Sequence, residues 1–412
     1  MSLRRVLVLT LATTLTASLA GPALVAGGPG TPVVRRGSTL AEGGTRALEG
    51  LPWSPDVIVA SLGRTGPVAL TQIYVQSQDV LAVDNRGKVF CLSRRDLQPR
   101  WITSLKAPLA APPAESPSWY VFLLRDASGA AWLQWVSRRS GADADHSPVR
   151  LDFAPSSGVS ATDGLAFVGS LGSARGNKTL ESINLADGSP GWGYRTAGRI
   201  VGTPIVDPAG DMVLVAVEDR GLMSFPASQS PLSASIMNWR TETLAANKLP
   251  PAVTKDWGFL ASDDNLVRGF DIHSGTVMWL QGIDAPAHKA PWLLGGLVTR
   301  DIAAGGEGGT AARVQRFEGY VFVRNQLGLH AFDAASGEPV FKDPNGDRPL
   351  AMVGDWVVTL DAAKTAQLRR GKGLPVEKVA SLNMFDFLPT NTRDGTIIAG
   401  QSDGTIFLAV PK

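Results

Sequence analysis

The chain alternates short apolar runs with polar, turn-rich segments, and one such run recurs eight times. Each copy follows a turn or polar residue and has the pattern of a buried β-strand. The copies begin at Val80, Trp119, Leu165, Met212, Trp257, Tyr320, Trp356 and Thr396. The intervals run from 36 to 63 residues, and most lie between 39 and 47. A β unit of that period predicts a propeller blade, because a single small sheet buries its apolar faces only against neighbouring sheets.

A second element follows the strand in several units. It consists of an apolar residue, Asp or Asn, a Gly, and an aromatic residue four positions after the Gly, in segments 183–192, 270–279 and 332–341. Segment 92–101 is a degenerate copy, with Leu97 at the Gly position. We expect the Asp to bond the turn backbone, the Gly to supply positive φ, and the ring to cover the neighbouring blade. The repeat positions are Asp271, Asp333, Gly188, Gly275, Gly337, Trp101, Trp192, Trp279 and Phe341.

This phrase resembles the repeat of the quinoprotein (PQQ-like) β-propeller family, which includes the periplasmic propeller of the outer-membrane β-barrel assembly machine. The resemblance covers residues 51–412 and is strongest in the copies that end at Trp192, Trp279 and Phe341. The propellers built from Trp-Asp repeats fit worse, because the order here is Asp256-Trp257, at a strand start.

These patterns predict an all-β fold for residues 51–412: one eight-bladed propeller of four-stranded antiparallel blades. Blade 2 (119–153) and blade 7 (356–382) lack the Gly-x-x-x-Trp ending, so seven blades is the alternative. The last hairpin, 396–410, has no following strand, and the strand at 56–62 has no preceding hairpin. We therefore predict that the N-terminal strand completes the last blade and closes the ring. The alternative is an extra edge strand on blade 1.

The N-terminus predicts export. Arg4 and Arg5, an apolar stretch at 6–17 and Ser18-Leu19-Ala20 are typical of a cleaved signal peptide over residues 1–20. A retained anchor helix is the alternative, although the stretch is short for a membrane span. No Cys follows for a lipid anchor, so the expected location is periplasmic or extracellular. Residues 21–50 are rich in Gly and Pro and are interpreted as a flexible leader without strands.

Charge and composition limit the classes of partner that the chain is expected to bind. The 412 residues are 44% hydrophobic and 18% charged, with a net charge of +2 that falls to zero once Arg4 and Arg5 are removed. Such a chain has no field to attract nucleic acid. No other long apolar run predicts an integral membrane span.

Non-repeating segments are the candidates for binding. The longest unit has additional residues around 300–316, which are interpreted as a mobile excursion between blades. Such insertions often carry binding residues. Trp53 and Trp292 are either exposed recognition anchors or packing residues, and packing is favoured.

The sequence shows few signs of chemistry. His146, His273, His288 and His330 lack zinc-site spacing. The glycines of segment 306–311 lack the strand and helix of a dinucleotide site. Segment 343–347 has half a calcium loop and is interpreted as a turn. The lone Cys91 is either a reactive thiol or a buried apolar residue, and burial is favoured.

The resemblance implies a non-enzymatic propeller of the bacterial cell envelope that binds or scaffolds a protein partner through its inter-blade loops. It suggests outer-membrane assembly components or nascent barrel proteins as partners, and a monomer or a subunit of an envelope complex. A PQQ-dependent oxidoreductase and a propeller that binds glycans or cell wall are the alternatives. Family enzymes commonly carry a vicinal disulfide and calcium ligands, so with one Cys and no such ligands we expect no catalytic, cofactor-binding or metal-binding residue.

Overall fold

The structure, a computed structural model, describes residues 8–9, 33–37, 53–63, 68–173, 178–218, 221–228, 236–243, 245–302, 312–370 and 376–412. Helices are absent from these ranges, and 33 strands make up the regular structure within them. The same residues therefore include no helix with the length and apolar character of a membrane span. The predicted all-β class is confirmed.

The strands before blade 1 are β1 (Val8–Leu9), β2 (Val33–Gly37) and β3 (Trp53–Ser61). Blade 1 contains β4 (Leu70–Val75), β5 (Asp79–Asp84), β6 (Lys88–Ser93) and β7 (Pro99–Ser104), and blade 2 contains β8 (Ala114–Glu115), β9 (Trp119–Arg125), β10 (Ala131–Ser137) and β11 (Val149–Arg150). Blade 3 contains β12 (Phe153–Ala161), β13 (Leu165–Ser173), β14 (Leu180–Asn184) and β15 (Pro190–Tyr194). Blade 4 contains β16 (Ile200–Val206), β17 (Met212–Val217), β18 (Gly221–Pro226) and β19 (Trp239–Thr241).

Blade 5 contains β20 (Ala252–Val253), β21 (Trp257–Ala261), β22 (Leu266–Asp271) and β23 (Val277–Gly282). Blade 6 contains β24 (Trp292–Ile302), β25 (Ala312–Asn325), β26 (Gly328–Asp333) and β27 (Pro339–Asp343). Blade 7 contains β28 (Gly346–Val353), β29 (Trp356–Asp361), β30 (Thr365–Arg370) and β31 (Val376–Ser381). Blade 8 contains β32 (Ile397–Gly400) and β33 (Thr405–Pro411) together with β3 and β2. Eight blades are confirmed, and the seven-blade alternative is wrong.

Each of blades 1 to 7 is an antiparallel meander whose strands we call A to D in chain order. The A strands of neighbouring blades lie against one another, as β12 does with β16 and β24 with β28. The A strands therefore surround the central axis. The meander places the A–B and C–D turns on one face of the ring, which we call the A–B face. The B–C turns and the connections between blades lie on the opposite face, which we call the B–C face.

The N-terminal strand closes the ring as predicted. Strand β3 pairs antiparallel with β33, with Ile58 opposite Leu408 and Ala60 opposite Ile406. Strand β2 then pairs with the outer edge of β3. This corrects the interpretation of residues 21–50 as a leader without strands. Strand β1 lies parallel to β31, the outermost strand of blade 7.

The additional segment at 300–316 in the longest unit was predicted to be an excursion between blades, and this prediction is wrong. The segment extends the A–B hairpin of blade 6, where β24 and β25 keep one register from Trp292 opposite Phe322 to Ile302 opposite Ala312. The hairpin can lengthen in this way because the added residues continue the same antiparallel pairing. Residues 303–311 lie outside the described part of the chain.

The core lies between the blades. In the described ranges, the buried apolar side chains form eight clusters, one at each interface between neighbouring blades. Phe322 and Val357 share the cluster between blades 6 and 7. Ile58 and Phe90 share the cluster between blades 8 and 1. Every blade thus buries both faces, which removes the apolar surface that one isolated sheet would expose.

Candidate functional site

The C–D corner carries the repeated Asp. In blade 5, Oδ1 of Asp271 accepts hydrogen bonds from the backbone N–H groups of His273 (3.0 Å) and Ser274 (2.8 Å) and from the Ser274 hydroxyl. Burial acts to raise the pKa of the Asp271 carboxyl, but these hydrogen bonds outweigh it and the pKa lies below its usual value. Asp333 makes the same bonds in blade 6, and Gly275 completes the corner with φ +71°.

The repeated Trp contacts the corner of the next blade. Trp279, on strand D of blade 5, donates its Nε1–H to the backbone oxygen of Ala334 in blade 6 (3.1 Å). A Cβ on Gly337 would lie 2.6 Å from the same indole, so the ring occupies the space that only Gly leaves. Trp192 donates in the same way to Ala227 of blade 4 (3.0 Å). The Asp, Gly and Trp positions therefore join blades together.

Two members of this set were not predicted from the sequence. Trp239, in blade 4, donates to the Ile272 oxygen (2.8 Å) and packs over Gly275. Gly141, in blade 2, lies under the ring of Trp101. The Ser-Gly pair before β11 was a readable signal for Gly141. Trp239 had no such signal, because blade 4 has no Gly four positions before this Trp.

Gly188 and Phe341 depart from the common arrangement. A Cβ on Gly188 would meet Val149, on strand D of blade 2, at 2.5 Å, so a Val stands where other blades place Trp. The Phe341 ring lies 4.3 Å from the guanidinium carbon of Arg369, which pairs with the buried Asp343 at 2.9 Å. An apolar or a cation–π contact thus replaces the indole hydrogen bond at these interfaces.

The residues considered for metal or thiol chemistry are dispersed. His330 is buried, whereas His146, His273 and His288 are exposed. The residues that the structure describes contain no group of three or more His, Cys, Asp or Glu side chains able to hold a metal ion. Cys91 is fully buried, as favoured from the sequence, and burial and the Asp79 charge raise the pKa of its thiol.

Other candidates from the sequence have structural places. Residues 343–347 span the turn between β27 and β28, with Pro344 and Asn345 between the two strands, which confirms that interpretation. The glycine-rich segment 306–311 lies outside the described residues. Trp53 is fully buried and donates to the Gly395 oxygen (2.8 Å), and Trp292 is partly buried against the core between blades 6 and 7. The prediction that these two Trp residues have a packing role is confirmed.

Asp79 and Tyr120 form a buried polar pair at the interface of blades 1 and 2. The Tyr120 hydroxyl donates to Asp79 Oδ2 (2.6 Å), and Arg100 Nε lies 3.0 Å from Oδ1. Burial, together with the hydrogen bond to Asp79, raises the pKa of Tyr120. Both side chains have no exposed surface, so this pair tightens the interface and does not face a substrate.

A cavity of about 650 Å³ is lined by residues of blades 2, 3 and 4. Its apolar wall is the segment 108–112, and its polar wall includes Arg125, Ser156 and Thr203. Asp126, at its rim, accepts hydrogen bonds from Ser128 and Trp132, and these lower the pKa of its carboxyl. Among the described residues that line it, no nucleophile has an adjacent base.

The blade 6 hairpin provides the largest departure from the repeat. Strand β26 pairs with β25 only from Tyr320 to Asn325, whereas β24 follows β25 for eight further pairs. The hairpin therefore continues beyond the blade as a two-stranded ribbon, formed by residues 295–302 and 312–319. We call it the blade 6 ribbon. At the rise of a β-strand it extends about 25 Å. It leaves the A–B face next to the axis.

Gly295 lies at the base of this ribbon, opposite Gly319. It has φ +137°, and a Cβ there would lie 2.3 Å from the Glu318 backbone oxygen and 2.5 Å from the Gly319 Cα. Only glycine fits so close an approach of two backbones. The glycine pair therefore creases the hairpin where it leaves the blade.

The chain is similar in fold to solved propellers. It aligns with the crystal structure of BamB from Moraxella catarrhalis with a TM-score of 0.58 and 16% identity, covering 86% of this chain and 98% of that one. The fold is similar to that of BamB. The computationally designed Ika8 protein aligns with a TM-score of 0.53 and 11% identity, covering 84% of this chain and 97% of that one. No protein-family model and no curated protein sequence matches the chain.

Proposed function

We propose that the chain is a non-enzymatic scaffold of the bacterial cell envelope that binds a protein partner through the blade 6 ribbon. The observation that carries the proposal is the length of this ribbon, which exceeds what the blade needs for its own pairing. The fold alone does not decide function, since a designed protein shares it. The ribbon is a part of the chain that the repeat does not explain.

The backbone of β25 offers a free edge for such a partner. The Ala334 N–H donates to the Gly319 oxygen (3.0 Å), so the Gly319 carbonyl points away from β24. Backbone groups alternate along an antiparallel strand, so those of Phe317, Gln315 and Arg313 also point away from β24. Among the described residues no strand pairs with this stretch. An extended partner segment can add to the edge by backbone hydrogen bonds.

The likeness in fold to BamB and the quinoprotein-like repeat support an envelope partner. Outer-membrane assembly components or nascent barrel proteins are the partner class that this resemblance suggests. Export through cleavage after Ala20 is part of the proposal, with the protein acting in the periplasm or outside the cell. The mass and N-terminal sequence of protein isolated from the envelope test this: a chain that starts at Met1 would contradict it.

The test of the ribbon uses a shortened variant in which Asn-Gly replaces residues 297–317. Gly296 and Glu318 then flank a two-residue turn, and the backbone phase makes them a hydrogen-bonded pair, as such turns require. We expect unchanged melting, because the deletion removes no residue of the eight core clusters described above, and loss of the partner crosslinked in intact envelopes. A partner retained by the shortened variant contradicts the proposal.

A quinoprotein enzyme is separated from a scaffold by one assay. Purified protein is incubated with PQQ and Ca²⁺, and dye-linked alcohol oxidation is followed. The scaffold predicts no saturable absorbance change and no dye reduction. Turnover that depends on PQQ would replace the proposal with the enzymatic alternative.

A further inference from the structure

Three cationic side chains converge on one carboxylate at the B–C face. Asp347 has its Oδ1 2.6 Å from Lys289 Nζ and 4.0 Å from Arg324 Nε, and its Oδ2 3.5 Å from an Arg348 guanidinium nitrogen. Arg348 also donates to the backbone oxygen of Leu388 (3.1 Å). The group thus joins inner segments of blades 6, 7 and 8 beside the axis.

The charges of this cluster do not balance. Three cations surround one carboxylate, so the local charge is +2. Burial and the charges of Arg324 and Lys289 lower the pKa of the neighbouring His288. The nearby Lys342 pairs with Asp284 and adds no net charge. Cations held this close and partly buried repel one another, and a second anion would relieve that repulsion.

Arg324 also has unused donors. Its side chain is 18% exposed, and its Nε and Nη1 find no hydrogen-bond acceptor among the described residues. A buried donor without an acceptor costs about 1–3 kcal/mol, so such groups in folded proteins commonly meet an ion or water. The Arg fork matches the two oxygens of a carboxylate or phosphate.

We propose that Arg324, Arg348 and Lys289 form an oxyanion-binding site for a carboxylate or phosphate group at the B–C face. The ligand oxygen atoms accept from Arg324 and share the field of Lys289 and Arg348, while Asp347 holds the three cations together. The site lies on the face opposite the blade 6 ribbon, so it stands or falls independently of the proposed function.

The test measures binding of pyrophosphate and of an acetylated, amidated tri-aspartate peptide to the full chain by calorimetry, at fixed ionic strength. The variants are Arg324→Gln and Arg348→Gln, with the exposed Arg139→Gln on the opposite face as the matched control. Arg324→Gln removes a charged hydrogen bond to the ligand and Arg348→Gln removes a neighbouring positive charge, so Kd rises at least about tenfold in both site variants and stays unchanged in the control.

The two ligands distinguish the source of the oxyanion. Binding of pyrophosphate alone assigns a phosphate, and binding of the peptide alone assigns a protein carboxylate. Equal binding by wild type and both site variants, or no binding of either ligand, overturns the proposal. If Arg324→Gln fails to fold, Arg324→Lys keeps the charge without the fork, and the same rise in Kd is expected.

Discussion

Glycine and tryptophan fit together across each of several blade interfaces. Gly337 has φ +76° and lies under the indole of Trp279, so it meets two demands, one conformational and one steric. The sequence predicted the Asp and Gly of this corner because turn chemistry is local. It could not predict that Val149 replaces Trp over Gly188, because that contact joins residues distant in the chain.

The two demands on Gly337 can be measured separately. Gly337→Ala adds both positive-φ strain and a clash with Trp279, whereas Gly210→Ala (φ +79°) has nothing within 4 Å of its Cβ. We expect Gly210→Ala to lower the free energy of unfolding by about 1 kcal/mol. Gly337→Ala should cost roughly 1–3 kcal/mol more, as overpacked sites do. Equal losses in urea unfolding would show that the Trp contact is not tight.

The Cys91 thiol should report opening of the interface between blades 1 and 2. It is fully buried and its pKa is raised, so the native protein holds little thiolate and gives a thiol reagent no access. Ellman's reagent should leave the native protein unmodified and react with one thiol in guanidinium chloride. Rapid labelling of the native chain would contradict the packing described for this interface.

At the scale of elements, two segments distant in the chain decide the architecture. The unpaired ends in the sequence predicted that β3 would join β33, because each end lacked what the other supplied. Strand β2 was missed because residues 33–37 contain two Arg and adjoin a Gly/Pro-rich stretch. The 300–316 surplus was recognised, but its pairing depends on register between β24 and β25, which composition does not encode.

Two truncations test closure of the ring. Removing residues 1–61 deletes β3 and exposes Ile406 and Leu408, whereas removing residues 1–37 deletes β2 and leaves β3 in place. Loss of the buried Trp53, Val57, Ile58 and Ala60 should cost at least about 5 kcal/mol. The shorter truncation should cost far less. Similar melting temperatures for the two variants would remove the closing role of β3.

An ion pair at the same closing interface should make stability depend on pH. Asp394, before β32, lies 3.0 Å from Arg94 of blade 1. Burial acts to raise its pKa, but hydrogen bonds from Asn391 and Thr396 and the Arg94 charge hold it below the usual 3.8. The stabilisation is therefore present above that value and is lost as pH falls through the folded-state pKa.

The variant Asp394→Asn isolates this effect. It should be less stable than the wild type at pH 7, and the difference should shrink as pH falls below 3.8. Urea unfolding at steps between pH 7 and pH 3 measures it. A difference that stays constant over this range would show that the carboxylate charge contributes nothing.

At the scale of the whole molecule, the repeat accounts for the ring and leaves two non-repeating features on opposite faces. Eight clusters join eight blades, so the repeated residues are used for packing. The blade 6 ribbon leaves the A–B face, and the cluster of Lys289, Arg324 and Arg348 lies on the B–C face. The sequence predicted the ring from its period, but the cluster forms only when three blades meet.

The central claim, that the blade 6 ribbon binds a protein partner, is tested most directly by site-specific photocrosslinking in intact envelopes. A photoreactive residue is placed at position 315 in the free edge of β25, and at the exposed Ser128 on the B–C face as control. The account predicts one discrete protein adduct, identified by mass spectrometry, from position 315 and not from position 128. The absence of an adduct at position 315, or the same adduct at both positions, would contradict it.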